Sequence, residues 1–252
     1  MTRTARILLP LAATALLVTA WHVAATRVGS TLLFPPPGSV VLGAVETAAG
    51  GRLFGHIVAS LQRFAIGYLG GIAIGVPLGL LLGLSVHARS AFDPIIQVLR
   101  PISPIAWFPL FTLWFGIGEL PAIAIVFTAA VYPVILTTTS AVREVDPLYL
   151  KVARTFGDSR AGTVARIILP ASLPGIAVGL RIAVGTSWVF IVAGEMLGVT
   201  NGLGYLIIDA RNSLRTDLVL VAIVIIGALG LGIDRALRLA EARVRRHWGG
   251  AA

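Results

Sequence analysis

The chain has 252 residues, 57% of them hydrophobic and only 12% charged, with a mean hydropathy of +0.92. That balance excludes an ordinary soluble domain and places the chain in a bilayer. A net charge of +9 would suggest nucleic acid or an acidic partner in a soluble protein. Here the cations lie between apolar runs, as orientation signals do, so membrane lipid and not nucleic acid is the expected surrounding. Cysteine is absent, which excludes disulfides, iron–sulfur clusters and thiolate zinc sites. His22, His56, His87 and His247 are widely scattered, and no metal-ligand spacing links them.

Uncharged runs reach the roughly 20 helical residues that a hydrocarbon core demands, and six are expected. The first runs from Ile7 to about Ala25, the second from Phe64 to Ala88, and the third from about Ile102 to Ile117. The fourth covers Leu120 to Val142, the fifth about Gly175 to Met196, and the last Leu218 to Ile233. With the amino terminus inside, Arg3, Arg6, Arg89, Arg100, Arg143, Lys151, Arg154, Arg160, Arg166, Arg235, Arg238, Arg243, Arg245 and Arg246 fall inside. Only Arg27, Arg52, Arg63, Arg211 and Arg215 fall outside, so both termini are expected in the cytoplasm. The first run also fits a cleaved signal peptide, with Arg3 and Arg6 ahead of it and Val23-Ala24-Ala25 at its end; it is read here as a retained anchor over residues 7–25. No repeat or composition shift divides the chain, so residues 1–252 are expected to form one transmembrane domain.

Between the first two runs, Phe34-Pro-Pro-Pro-Gly-Ser39 reads as a rigid outside turn, with Ser39 capping an amphipathic helix over Val40 to Ala49. In the second run Gly67, Gly71, Gly75, Gly79 and Gly83 recur every fourth residue. They share one helix face and form a groove where another helix can approach closely, within the subunit or at a subunit contact. Pro77 and Pro133 are expected to kink the second and fourth runs.

The longest inside loop, about residues 143–173, carries the strongest local signals. Asp146-Pro147 is a helix start, with a carboxylate to cap and proline at the first helical position. Leu148, Val152 and Phe156 follow at four-residue spacing beside Tyr149 and Ala153, giving an apolar stripe. Gly157 suits a left-handed stop, and Asp158 or Ser159 can cap a second short helix running toward Leu169-Pro170. Two short helices around a glycine elbow, with Lys151, Arg154, Arg160 and Arg166 on their wet sides, suit docking into a protein cleft or lying on a membrane surface.

The spacing Ala153, Gly157, Ile167, Leu169-Pro170 resembles the signature loop of the permease subunits of bacterial ATP-binding-cassette importers. That signature is Glu-Ala-Ala, three residues, Gly, nine residues, Ile-x-Leu-Pro. Lys151 and Val152 stand here where the family has Glu and the first Ala. The resemblance extends over most of the chain from Pro37. Leu99-Arg-Pro-Ile-Ser-Pro-Ile-Ala-Trp-Phe-Pro-Leu110, Trp114-Phe-Gly-Ile-Gly-Glu119, Gly179-Leu-Arg-Ile-Ala183, Ala193-Gly-Glu195, Gly202-Leu-Gly-Tyr205 and Thr216-Asp217 resemble the branch that imports sulfonates, taurine, nitrate and related small anions. The resemblance implies an all-α type I importer fold of about six transmembrane helices. It further implies two cytoplasmic ATPases that carry ATP and Mg, an external solute-binding protein and a second permease subunit, most simply a homodimer. The loop Leu148 to Phe156 would then couple the ATPase to the gate.

The chain shows no nucleotide site of its own. A P-loop requires Gly-Lys-Ser/Thr, and the single lysine, Lys151, follows Leu150, so no catalytic role is expected. Arg181, inside the fifth run, is read as snorkelling, internally paired or in contact with an anion in transit. Glu119 and Glu195, at the outer ends of their runs, are read as structural carboxylates. Thr186, Ser187 and Trp188 are candidates to line a polar stretch of the path. A proton-coupled carrier using Glu119, Glu195 and Arg181 is one competing reading. An intramembrane serine protease is another, although no histidine neighbours Ser187. Within the importer reading the cargo is a sulfonate, a nitrate or cyanate, or a neutral heterocycle such as a vitamin precursor.

Overall fold

A computed structural model describes the backbone of residues 5–248 and the side chains of residues 8–243 apart from 152 and 154. Arg3, Ala252 and the side chains of Val152, Arg154, Arg245 and Arg246 therefore lie outside the described residues. Every regular element among the described residues is helical: α1 Ala5–Val28, α2 Pro37–Ala49, α3 Arg52–Leu84, α4 Val86–Leu99, α5 Phe108–Phe115, α6 Glu119–Arg143, α7 Pro147–Thr155, α8 Arg160–Thr163, α9 Leu169–Gly198, α10 Leu203–Asn212 and α11 Thr216–Trp248.

Among the described residues, five stretches are long and apolar enough to cross a membrane: Leu8–Val28, Arg52–Leu84, Glu119–Arg143, Arg160–Gly198 and Thr216–Arg243. The sixth expected span is not a straight helix. Over residues 102–117 the chain forms a 3₁₀ turn, Pro104–Trp107, and then α5 of 8 residues. At 1.5 Å per residue α5 is about 12 Å long, far short of a ~30 Å core. Pro101, Pro104 and Pro109 interrupt the helix there, and only with α4, across a bend of 87°, does the segment reach spanning length. The second span also differs, because α3 begins at Arg52 and stops at Leu84. Ser85 Oγ then accepts from Ala88 N–H at 3.2 Å and starts α4 as a new helix. Ser39 does not cap α2, which begins earlier with Pro37 in its first turn and no side-chain cap; the fixed φ of proline nucleates it instead.

The chain divides into two compact units, residues 60–200 with 228–252 and residues 1–59 with 201–227. The first is organised around α6, the most buried of the spans. A Cβ on Gly67, Gly71, Gly75, Gly79 or Gly83 would come within 2.5–2.8 Å of Val126, Ala130, Val134, Thr138 or Val142 respectively, so α3 lies directly on α6 along its whole glycine face. From the other side Gly175, Gly179 and Gly194 of α9 meet Ala141, Thr137 and Ala122. Inside a membrane the hydrophobic effect does not drive helices together, so this close backbone approach is one source of attraction, beside hydrogen bonds between helices.

In the second unit Leu53, Leu206 and Ala222 form a buried cluster with Ile57, Ile207 and Ile225 packed on it. Trp21 Nε1 donates to Pro35 O at 3.1 Å and ties α1 to the turn before α2. Gly43 of α2 sits against Asp217 at the start of α11, where a Cβ would be 2.9 Å from Oδ2. Arg215 beside it bonds Asp217 and, at 2.9 Å, Glu46. That guanidinium holds the Glu46 carboxyl below its ordinary range.

Candidate functional site: the α6–α9 loop and a buried ionic cluster

The loop between α6 and α9 is specified residue by residue. Asp146 Oδ1 accepts from Leu148 N–H at 2.8 Å, and Pro147 opens α7. Gly157 takes φ +71, and Asp158 N–H donates to Ala153 O at 3.0 Å, the bond that closes a helix with a left-handed residue. Ser159 Oγ accepts from Gly162 N–H at 3.1 Å and starts α8. A π turn, Val164–Ile168, then leads into α9, with Leu169 N–H donating to Val164 O. Such a turn inserts one extra residue into a helix.

Ala153 is buried, and Leu150 and Val164 pack on a cluster of Val142, Val145 and Ile168. These contacts seat α7 on the ends of α6 and α9. Of the signature residues, Ile167, Leu169 and Pro170 are half-buried, Ile168 between them is buried, and Lys151 is exposed. The remaining large apolar residues face outward: Leu148 is 59% exposed, Tyr149 55% and Phe156 84%. Burying a side chain of the size of Phe156 is worth about 2–3 kcal/mol.

A second constellation joins α3, α6 and α9. Glu195 is 1% exposed and accepts from Ser60 Oγ at 2.8 Å and from Arg63 Nη1 at 2.8 Å. Arg63, itself 1% exposed, also donates through Nη2 to Glu119 at 3.0 Å, and the Glu119 side chain is largely open. The sequence reading counted Arg63 as an outside charge bounding the second run at Phe64; the structure moves that boundary, since Arg63 lies within α3. The signal was present, since Arg63 precedes Gly67 by four residues and so begins the face that packs on α6. Ser60, three residues earlier on that face, went unnoticed.

Arg181 is paired, its Nε 3.3 Å from Oε2 of buried Glu241 on α11. The sequence reading ended the last span at Ile233 and so missed Glu241. Ser187 is fully buried, with Oγ 3.4 Å from Val126 O. Trp188 is buried too, edge-on to Phe64 with centroids 5.2 Å apart, and Gly230 leaves room beside its indole nitrogen. Thr186 is exposed. Arg181, Thr186, Ser187, Trp188 and Glu195 thus occupy several packing environments of α9.

The family described as the inner membrane component of binding-protein-dependent transport systems matches residues 75–246. The taurine transport system permease protein TauC of Escherichia coli (strain K12) is 36% identical over 91% of this chain and 86% of its own length. The aliphatic sulfonates transport permease protein SsuC of Bacillus subtilis (strain 168) is 35% identical over 91% and 84%. The nitrate import permease protein NrtB of Leptolyngbya laminosa is 41% identical over 76% and 69%. Among solved structures, an inward-facing MetNI methionine ABC transporter chain superposes with a TM-score of 0.59 at 20% identity, covering 73% of this chain and 95% of that one. An amino acid ABC transporter chain gives 0.61 at 16% identity, covering 79% and 96%. The chain belongs to the family of inner-membrane components of binding-protein-dependent transport systems and is the non-catalytic, multi-pass permease subunit of an ATP-binding-cassette importer.

Proposed function

We propose that two copies of this chain line the path of an importer for a small anion, an organic sulfonate such as taurine or a nitrate-type ion. Each copy docks one cytoplasmic ATPase, with both termini on that side, and receives cargo from an external binding protein. The loop over residues 143–173 is the coupling element, with Leu148, Phe156 and the neighbouring Lys151, Val152 and Arg154 entering the ATPase. ATP and Mg stay on that partner. The observation that carries the docking role is the outward display of Leu148, Tyr149 and Phe156 on a helix whose start and stop are both fixed. The substrate class is supported by the names of relatives matched over most of the chain.

Thr186 is the best placed of the candidate path residues, since it is open on the α9 surface while Ser187 and Trp188 are packed inside the subunit. The test is uptake into proteoliposomes holding the permease, its ATPase and its binding protein. Labelled taurine, an alkanesulfonate, nitrate and a neutral pyrimidine are offered in parallel. ATP-dependent uptake of one of the anions supports the reading, and uptake of the pyrimidine alone refutes it. Tags at Ala252 and Asn201 reached from the same side refute the topology.

A further inference from the structure

We infer that the cleft under α7 is a binding site for one anionic phospholipid, with its phosphate on Arg143 and Arg160 and an acyl chain along the apolar wall. The cleft has a volume of about 770 Å³, within the range of roughly 300–1,000 Å³ that ligand sites occupy. Leu81, Leu84, Val145 and Ile168 supply its apolar lining, and Pro147 and Leu150 of α7 close it.

Position and charge select the occupant. Two of the long apolar stretches, Arg52–Leu84 and Glu119–Arg143, have an end here, and their end residues Leu84 and Arg143 line the cleft together with Arg160 of α8. The proposed site lies where those two stretches leave the hydrocarbon, near the depth of lipid phosphates. Arg143 and Arg160 are exposed, and among the described residues neither lies within ion-pair distance of a carboxylate. Asp158, the acidic residue in the lining, is paired with Arg166 at 3.6 Å, which offsets part of its charge. A soluble anion would use the two guanidiniums and leave the apolar wall wet. A phospholipid satisfies both and braces α7 from beneath.

The experiment uses the permease purified with its ATPase, in nanodiscs of phosphatidylcholine with and without phosphatidylglycerol. Native mass spectrometry counts the lipid retained, and ATPase rate is read in parallel. The complex should keep phosphatidylglycerol in preference to phosphatidylcholine and turn over faster with it. Each arginine near a lipid surface is worth roughly a fivefold change in partition, so Arg143→Gln with Arg160→Gln should lower that preference by about 10- to 30-fold. Thr163→Phe, which fills the cleft and keeps both charges, should lower it too, whereas Arg235→Gln, outside the cleft, should not. Equal retention by the double variant, or an equal loss in Arg235→Gln, overturns the proposal. So does retention by the permease alone that disappears once the ATPase docks, since the cleft would then belong to the ATPase.

Discussion

Gly157 offers the sharpest test of the loop, because its requirement is purely conformational. Its φ is +71, and a Cβ built there meets no atom within 4 Å. Any effect of substitution therefore comes from the backbone and not from a clash. For an L-residue the left-handed region costs about 1–2 kcal/mol, more for a β-branched side chain and least for asparagine. A penalty of that size disfavours the native elbow by roughly 5- to 30-fold, and the elbow sets how α7 presents Leu148, Tyr149 and Phe156. Gly157→Val should therefore reduce ATPase co-purification and ATP-driven uptake strongly, while Gly157→Asn retains most of both. Subunit abundance in the membrane is the control, and it should stay level because the substitution lies beyond the spans. Valine and asparagine variants of equal activity would refute the conformational argument, and normal uptake in both Gly157→Val and Phe156→Asp would refute the coupling role itself.

Three further outcomes test the packing and the electrostatics. Glu195→Ala leaves Arg63 buried beside an empty position and should destabilise the subunit by about 3–5 kcal/mol, whereas the apolar pair Arg63→Met with Glu195→Leu should lose much less; thermal melts in detergent decide. Gly75→Leu drives a side chain into Val134, where even a Cβ would lie 2.8 Å from Cγ1, and should sharply reduce the yield of folded subunit, while Gly55→Leu, with open space around it, should not. The Glu46 carboxyl is held below its ordinary 4.5 by Arg215, so its contribution is complete above 4.5 and is lost as pH falls through the lower folded value. The melting difference between the protein and its Glu46→Gln variant should thus be present at neutral pH and vanish in acid; a difference that persists in acid would contradict the pairing.

What the sequence disclosed depended on how local the cause was. The start of α7 at Asp146-Pro147, the elbow at Gly157 and the start of α8 at Ser159 are each dictated by one or two residues, so they could be read directly. The glycine series on α3 was readable because its four-residue period is a property of one helix. Its partner was not, since only the tertiary arrangement brings Val126, Ala130 and Val134 of α6 opposite those glycines. Hydropathy counting placed a full span over residues 102–117 because it registers composition and not the repeated prolines that break the helix. Arg63 was misplaced for a related reason: a charge marks the edge of an apolar run in such counting, even where its partners Glu195 and Glu119 arrive from positions far along the chain.

The ionic cluster and the loop stand at opposite ends of the same helix, and this bears on how a displacement would travel. α6 begins at Glu119, the open partner of Arg63, and ends at Arg143, next to the Val142 and Val145 seat of α7. Its 25 residues span about 37 Å. Glycines of α3 grip it on one side and glycines of α9 on the other, so that only the short side chains of α6, such as Val126, Val134 and Thr137, stand between the backbones. Close-packed interiors transmit displacement, so a helix clasped in this way is suited to carry one, although Pro133 lies within it. In the proposed coupling, a push on α7 enters α6 at Val142 and reaches α9 through Ile168 of the π turn, and both helices carry it to one guanidinium, since Arg63 binds Glu119 on α6 and Glu195 on α9. The exposed Glu119 bond is the weaker of the two, because water competes for it, so unequal movement of α6 and α9 should open that bond first and leave the buried Arg63–Glu195 pair intact.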